Sequence, residues 1–259
     1  MAPIGPKALY RRWVLSRHRI PDTVWEGACA GSRHALALDP PTRLRLRELS
    51  TLFLRAKTFS GTHGLRVTDT MRTHIALHAC LPILNLGLEY YAGWKGIVIY
   101  PGDFRVRQRF QDDAGVVHEG VEDLCGESLS QGPLVLSWNA ILDERNFGDR
   151  DLVIHECAHK LDLLTGDADG FPPLHASMDS DLWTRAMQQA FDALTVAVDR
   201  GDDTRIDPYA ASDPAEFFAV MSETFFVAPA MVHDDFPDVY SQLRAFYRQD
   251  PLTRRDVVH

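Results

Sequence analysis

Residues 152–166 read LVIHECAHKLDLLTG, and the middle of this stretch places two histidines around a glutamate. Apolar residues recur in it at helical spacing, which predicts an α-helix over residues 152–164. His155 and His159 are four residues apart, so a helix puts both imidazoles on one face, where they can reach one ion. Glu156 lies beside that ion, where a carboxylate can take a proton from a bound water. The pattern predicts a catalytic zinc site.

Such a site needs a third protein ligand and an open position for water, because two histidines alone bind zinc weakly. A metzincin would supply that ligand as a histidine at position 165, after a glycine at position 162. This chain has Asp162 and Thr165 at those positions, which excludes the metzincin arrangement. Suitable side chains farther along the chain belong to His175, Glu216, Glu223 and His233.

A helix predicted from Asp213 to Val227 favours the two glutamates among these candidates. Asp213 is a good N-cap residue, and Pro214 follows it at the first helical position. Glu216 and Glu223 are seven residues apart and therefore share a face of this helix. A glutamate ligand from a second helix is the gluzincin arrangement. The spacing alone leaves open which of the two glutamates binds the ion.

Four segments of the chain are similar to one known family. They are GIVIYPGDF at 96–104, GESLSQGPLVLSW at 126–138, VIHECAHKLDLLTGDADGFPPL at 153–174 and YAASDPAEFFAVMSETFF at 209–226. With them the chain resembles the Mlc titration factor A family, zinc-dependent peptidases of bacteria. The catalytic region of that family is related to the protease domain of anthrax lethal factor. The resemblance extends from about Leu44 to Tyr247.

The resemblance implies a complete active site. One zinc ion per chain would be held by His155, His159 and, as the third ligand, Glu216. Glu156 would act as the general base. Tyr209, seven residues before Glu216, would assist catalysis. The implied activity is hydrolysis of a peptide substrate by an aminopeptidase-like enzyme or a small-peptide hydrolase.

The resemblance also implies a protein partner, because family members bind a transcriptional repressor of sugar-uptake genes. The alternative function is therefore a non-catalytic regulatory protein that binds the repressor and has a structural zinc site. Glu156 discriminates between the two functions, since a purely structural zinc site does not need a general base.

Two further carboxylates are candidates for orienting the ligand imidazoles. Asp162 follows His159 by three residues and His155 by seven. It can therefore accept a hydrogen bond from a ligand ring and fix its tautomer. We expect the same role for Glu223 if that residue is not itself a ligand.

Other residues with metal-binding or reactive side chains are expected to be structural. His74 and His78 are four residues apart but have no glutamate between them, so we expect packed or surface histidines. Cys157 stands where the resembled family commonly has an aromatic residue, and we expect a buried, unreactive thiol there. Residues Asp167–Gly170 begin like a calcium loop, but Phe171 occupies the next ligand position, so we expect a polar turn.

The remaining patterns are mainly helical. Helical spacing predicts further helices at 40–56, 68–78, 180–198 and 239–249. Short apolar or alternating runs predict strands at 96–100, 104–110 and 132–138, and we expect the second strand to pair with the first. The predicted class is α+β: a gluzincin-like, mainly helical fold with a small mixed sheet.

Charge is distributed unevenly along the chain. The net charge is −9, but residues 1–75 carry 13 Lys/Arg and 5 Asp/Glu, whereas residues 76–259 carry 14 and 31. We expect a basic helical N-terminal segment, 1–75, packed on an acidic zincin-like catalytic region, 76–259. The acidic bulk argues against extensive nucleic-acid binding.

The composition also bears on the compartment. The most apolar stretch is too short for a membrane span, which needs about 20 residues. No secretory signal follows the basic N-terminus, and the four cysteines are scattered without a CxxC pair. We therefore expect a cytoplasmic protein with reduced thiols and no membrane partner.

Overall fold

The computed structural model describes residues 5–102, 106–111, 117–122, 132–147 and 150–254. Its α-helices are α1 (Pro6–Arg17), α2 (Asp22–Ala30), α3 (Arg33–Ala37), α4 (Pro40–Ala56), α5 (Asp69–Cys80), α6 (Trp138–Phe147), α7 (Leu152–Asp162), α8 (Ser180–Asp199), α9 (Pro214–Val227), α10 (Pro229–Asp235) and α11 (Pro237–Tyr247). Its strands are β1 (Thr58–Gly61), β2 (Gly96–Tyr100), β3 (Val106–Gln111), β4 (Val117–Glu122) and β5 (Leu134–Ser137). The predicted α+β class is confirmed.

A three-stranded parallel sheet has the order β1-β2-β5. In the central strand β2, Ile97 and Ile99 point into the core and are fully buried. The predicted pairing of residues 104–110 with β2 is wrong. Strand β3 instead pairs antiparallel with β4 in a separate two-stranded ribbon, because both edges of β2 are already occupied by β1 and β5.

Side-chain caps fix the starts of the helices that matter for function. Asp151 caps α7, where its Oδ1 accepts a hydrogen bond from the backbone N–H of Ile154 at 3.0 Å. Asp213 caps α9 as predicted, and its Oδ1 accepts from the N–H groups of Ala215 and Glu216 at 2.8 and 2.9 Å. These bonds satisfy N–H groups that have no partner within the helix. They therefore set where each helix begins.

Helix α9 lies in the middle of the core. Ten of its 14 residues are buried, so it is apolar on nearly all sides, as expected for a central helix. It packs against α7, and the neighbouring core is rich in aromatic rings. The largest of these buried rings belong to Trp183, Phe217, Phe218, Phe225, Phe246 and Tyr247.

The N-terminal part of the chain shares this core. Helix α4 packs against α5, and strand β1 forms one edge of the parallel sheet. Leu46 and Phe53 of α4 belong to the same buried cluster as Ile154 of α7. Helix α5 runs across residue 75, where the sequence placed the end of the basic segment. The division into a segment and a catalytic region stays a prediction.

Within the described ranges, no single helix has both the length and the apolarity to cross a membrane. Helices α9 and α10 pass that test only when taken together, and a bend of 119° separates them.

The loop after α7 generates a stability prediction. Gly170 has a φ of +79°, and a Cβ built there would lie 2.7 Å from the carbonyl oxygen of Pro214. Gly201 has a similar φ of +72° but open space around the same position. We expect Gly201→Ala to lower the free energy of unfolding by about 1–2 kcal/mol, the cost of a left-handed alanine. Gly170→Ala should cost about 1–3 kcal/mol more, because backbone must also move.

Urea denaturation of both variants measures this difference. Equal losses for the two alanines would contradict the close packing of Gly170 against the start of α9.

Candidate metal centre

Two helices bring three ligand-type side chains to one point. His155 and His159 project from α7, and Glu216 projects from the first turn of α9. Glu216 Oε2 lies 3.2 Å from His155 Nε2 and 3.5 Å from His159 Nε2. The two Nε2 atoms are 3.3 Å apart. The side-chain donors that the sequence singled out therefore converge.

These distances fit the coordination of a zinc ion. Zinc binds histidine nitrogen and carboxylate oxygen at about 2.0–2.2 Å in tetrahedral geometry, which places any two ligands roughly 3.3 Å apart. All three separations agree with that value within 0.2 Å. His155, His159 and Glu216 are 7%, 5% and 4% exposed. Three protein donors also leave the fourth position of a tetrahedron for water.

The electrostatics of Glu216 suit a cation ligand. Burial by itself would raise the pKa of this carboxyl. The hydrogen bonds and charges of His155 and His159 outweigh burial and lower the pKa to about 2. Glu216 is therefore a carboxylate at neutral pH, with its charge directed at the point between the imidazoles.

Glu223, two turns farther along α9, lies behind His155. Its Oε2 is 3.2 Å from His155 Nδ1, and its Oε1 accepts a hydrogen bond from the backbone N–H of Asp151 at 2.6 Å. Because a carboxylate only accepts hydrogen bonds, this contact places the proton of His155 on Nδ1. In the neutral ring, the form that binds zinc, the lone pair of His155 is then on Nε2, facing His159 and Glu216.

Asp162, at the end of α7, contacts the loop that follows the helix. Its Oδ2 accepts a hydrogen bond from the N–H of Gly170 at 2.8 Å, and its Oδ1 has no hydrogen-bond partner in the described part of the chain. The side chain is fully buried, and burial raises the pKa of this carboxyl to about 6. The hydrogen bond that Asp162 is expected to accept from a ligand imidazole stays a prediction.

The two predicted catalytic residues are more exposed than the ligand-type residues. Glu156 is only half-buried, so water reaches its side chain. Tyr209 is 40% exposed and belongs to a 3₁₀ helix, Pro208–Ala211, that packs against α9. Asp207 holds the start of that turn, because its Oδ1 accepts from the N–H of Tyr209 at 3.0 Å and its Oδ2 pairs with Arg150.

The other candidate ligands lie elsewhere. His175 donates from Nε2 to the carbonyl of Phe246 at 2.8 Å. His233 is largely exposed and faces Asp234 at 3.1 Å. Cys157 is fully buried, and burial raises the pKa of its thiol to about 12, so it is a neutral, unreactive thiol at pH 7.

Sequence reasoning missed a second buried cluster. His34 Nε2 and His78 Nδ1 lie 3.2 and 2.5 Å from Asp151 Oδ2. The signal for Asp151 was its N-cap position before the apolar run of α7, four residues ahead of His155. No local pattern links it to the two histidines, which come from α3 and α5.

Comparison with known proteins assigns the family. The model of the family described as glucose-regulated metallo-peptidase M90 matches residues 7–248. The chain belongs to this family. Membership confirms the resemblance found in the sequence and supports a metallopeptidase-like protein with a metal ion.

Individual M90 relatives are similar over most of their length. A Pectobacterium atrosepticum protein named Mlc titration factor A is 43% identical over 213 residues, which cover 81% of this chain and 80% of the relative. A Yersinia pestis protein of the same name is 40% identical over 220 residues, covering 84% and 81%. This chain therefore spans most of each relative.

The geometry predicts that the protein needs Glu216 to bind one zinc ion per chain. Glu216→Gln removes the negative charge between the imidazoles at nearly constant volume, so we expect zinc affinity to fall by at least 100-fold. Competition with a chromogenic chelator measures the affinity. Glu26→Gln, at an exposed position of α2, is the matched control and should bind zinc as the wild type does. Wild-type zinc affinity in Glu216→Gln would show that another residue is the third ligand.

Proposed function

We propose that the protein is a zinc-dependent peptidase that holds one zinc ion per chain through His155, His159 and Glu216. The observation that supports this most directly is the convergence of three buried donor atoms at 3.2–3.5 Å from one another. Glu156, next to His155 on the same helix and open to water, adds the acid–base group that a structural zinc site does not need.

Glu156 would carry the protons of the reaction. A zinc ion held by His155, His159 and Glu216 would supply Lewis-acid chemistry for the water and the scissile carbonyl. Glu156 removes a proton from the attacking water as its oxygen bonds to the carbonyl carbon. The same carboxyl then delivers that proton to the amine nitrogen as the C–N bond breaks. The products are a carboxylic acid and an amine, and Glu156 regains its starting charge.

Tyr209 would stabilise the negative charge that develops on the carbonyl oxygen. A phenol has a reference pKa of about 10, so it stays protonated at neutral pH and can donate a hydrogen bond. The hydrogen bond from the N–H of Tyr209 to Asp207 supports this role, because an oxyanion donor is effective only when it is held in place.

Strand β5 is suited to hold an extended peptide. Among the described strands it pairs with β2 along one edge only, and we propose its other edge as the place where a substrate adds. It packs beside α7, the helix that carries the two histidines. An extended substrate added to this edge would run past the metal centre by β-strand addition. We propose short peptides as substrates on this basis.

The thiols support a cytoplasmic location. Cys29, Cys80 and Cys157 are buried and free, as expected in a reducing compartment.

A second candidate function is regulation through a repressor protein. The names of the M90 relatives refer to titration of Mlc, which supports a link between this chain and an Mlc-type repressor. Binding to a repressor does not require the general base, so Glu156→Gln would separate the two functions.

The central test of the peptidase function is Glu156→Gln. The amide has nearly the volume of the carboxylate but cannot act as a base, so the protein should keep its zinc and lose at least 100-fold in kcat. Zinc content is measured beside hydrolysis of amino-acid p-nitroanilides and of internally quenched peptides. Undiminished turnover of either substrate by Glu156→Gln would contradict the proposed role of Glu156.

Tyr209→Phe tests the oxyanion donor. The variant keeps the ring, so zinc content and Tm should match the wild type. We expect kcat/KM to fall about 10²–10³-fold, the usual cost of losing one oxyanion donor. Wild-type kinetics, or loss of zinc, would show that Tyr209 has another role.

A further inference from the structure

Three buried polar side chains from separate parts of the fold form a cluster, and one hydrogen bond joins this cluster to Glu223. His34 comes from α3, His78 from α5, and Asp151 from the N-cap of α7. Each is less than a tenth exposed. Burying polar groups of this kind destabilises the folded state unless they are hydrogen-bonded. We therefore expect a defined set of hydrogen bonds among these three side chains.

Both oxygens of Asp151 are engaged. Oδ2 accepts from His34 Nε2 at 3.2 Å and from His78 Nδ1 at 2.5 Å. Oδ1 accepts from the N–H of Ile154 and so caps α7. Burial lowers the pKa of His34 to about 4, so this ring is a neutral donor at pH 7. The two histidines and the N–H of Ile154 therefore fix the carboxylate of Asp151, and this also fixes the backbone of Asp151.

The backbone of Asp151 continues the chain of hydrogen bonds to the metal centre. Its N–H donates to Glu223 Oε1 at 2.6 Å, and Glu223 Oε2 accepts from His155 Nδ1 at 3.2 Å. His155 Nε2 in turn faces Glu216. Displacing Asp151 would thus displace the acceptor that orients a ligand imidazole.

The distance between His78 and Asp151 does not suit a second zinc site at these residues. Two ligands of one tetrahedral zinc ion lie roughly 3.3 Å apart, as in the cluster of His155, His159 and Glu216. His78 Nδ1 and Asp151 Oδ2 are only 2.5 Å apart, which is too close for two ligands of one ion and requires a direct hydrogen bond between them.

We propose that His34 and His78 are positioning residues of the metal centre. They fix Asp151 so that its N–H keeps Glu223 against His155. The inference rests on the proposed zinc site and assigns the N-terminal helices α3 and α5 a share in its affinity. Changes to groups that orient metal ligands typically cost 10–100-fold in metal affinity.

The test is the zinc dissociation constant of the full chain, measured by chelator competition. His34→Phe and His78→Leu keep apolar bulk but remove the donor, and each should weaken zinc binding about 10-fold or more. His34→Gln and His78→Asn place an amide N–H near the lost ring nitrogen and should recover affinity to within about threefold. His175→Leu, which removes a histidine bonded to the Phe246 carbonyl, is the control and should bind zinc normally.

A double-mutant cycle separates positioning from a general loss of structure. Glu223→Leu removes the acceptor through which the two histidines act. In that background, His78→Leu should cause no further loss of zinc affinity, whereas independent effects would multiply. Each position is tested separately, so one folded variant, verified by circular dichroism, is enough to decide.

Several outcomes would overturn the inference. Wild-type zinc affinity in a folded His34→Phe or a folded His78→Leu would do so, as would fully multiplicative losses with Glu223→Leu. Two zinc ions per wild-type chain, one of them lost in His34→Phe, would show a second metal site instead. A wild-type protein that binds no zinc would overturn the proposed function itself, and this inference with it.

Discussion

The buried contact between the histidines of α7 and Glu216 of α9 constrains the rest of the structure. A carboxylate and two imidazoles are each costly to bury alone, and they become tolerable only when they face one another or share a cation. The contact fixes the rotation of both helices, since His155, His159 and Glu216 must point to one place. The two Asp caps then fix where each helix starts along its axis. Both buried carboxylates of α9, Glu216 and Glu223, face His155, and most other buried residues of this helix are apolar.

Because these three side chains must be buried together, further hydrogen-bonded residues lie behind them and hold them in place. The donors on α7 and α9 are buried, and Glu223 behind them sets which nitrogen of His155 is free to bind. Asp151 joins α7 to Glu223 through one backbone hydrogen bond and joins both to α3 and α5 through its carboxylate. Glu156, the proposed general base, is by contrast only half-buried, so water can reach it. The buried residues thus hold the geometry of the centre, and a different residue is accessible to water.

Local patterns were sufficient to predict the parts that depend on local physics. The periodicity around His155 predicted α7, and the Asp213–Pro214 pair predicted the start of α9. Non-local contacts were not predictable in the same way. The mispaired strand is a separate case, because β3 pairs with β4, a run six residues farther along the chain that the sequence patterns did not mark as a strand. The link from His34 to Asp151 joins residues 117 positions apart, for which one sequence contains no signal.

Anomalous X-ray diffraction at the zinc edge, on crystals grown with zinc, tests the central claim most directly, because it locates the ion without reference to activity. We expect one strong peak per chain, about 2.0–2.2 Å from His155 Nε2, His159 Nε2 and a carboxylate oxygen of Glu216. A peak among His34, His78 and Asp151 instead, or no peak between α7 and α9, would contradict it.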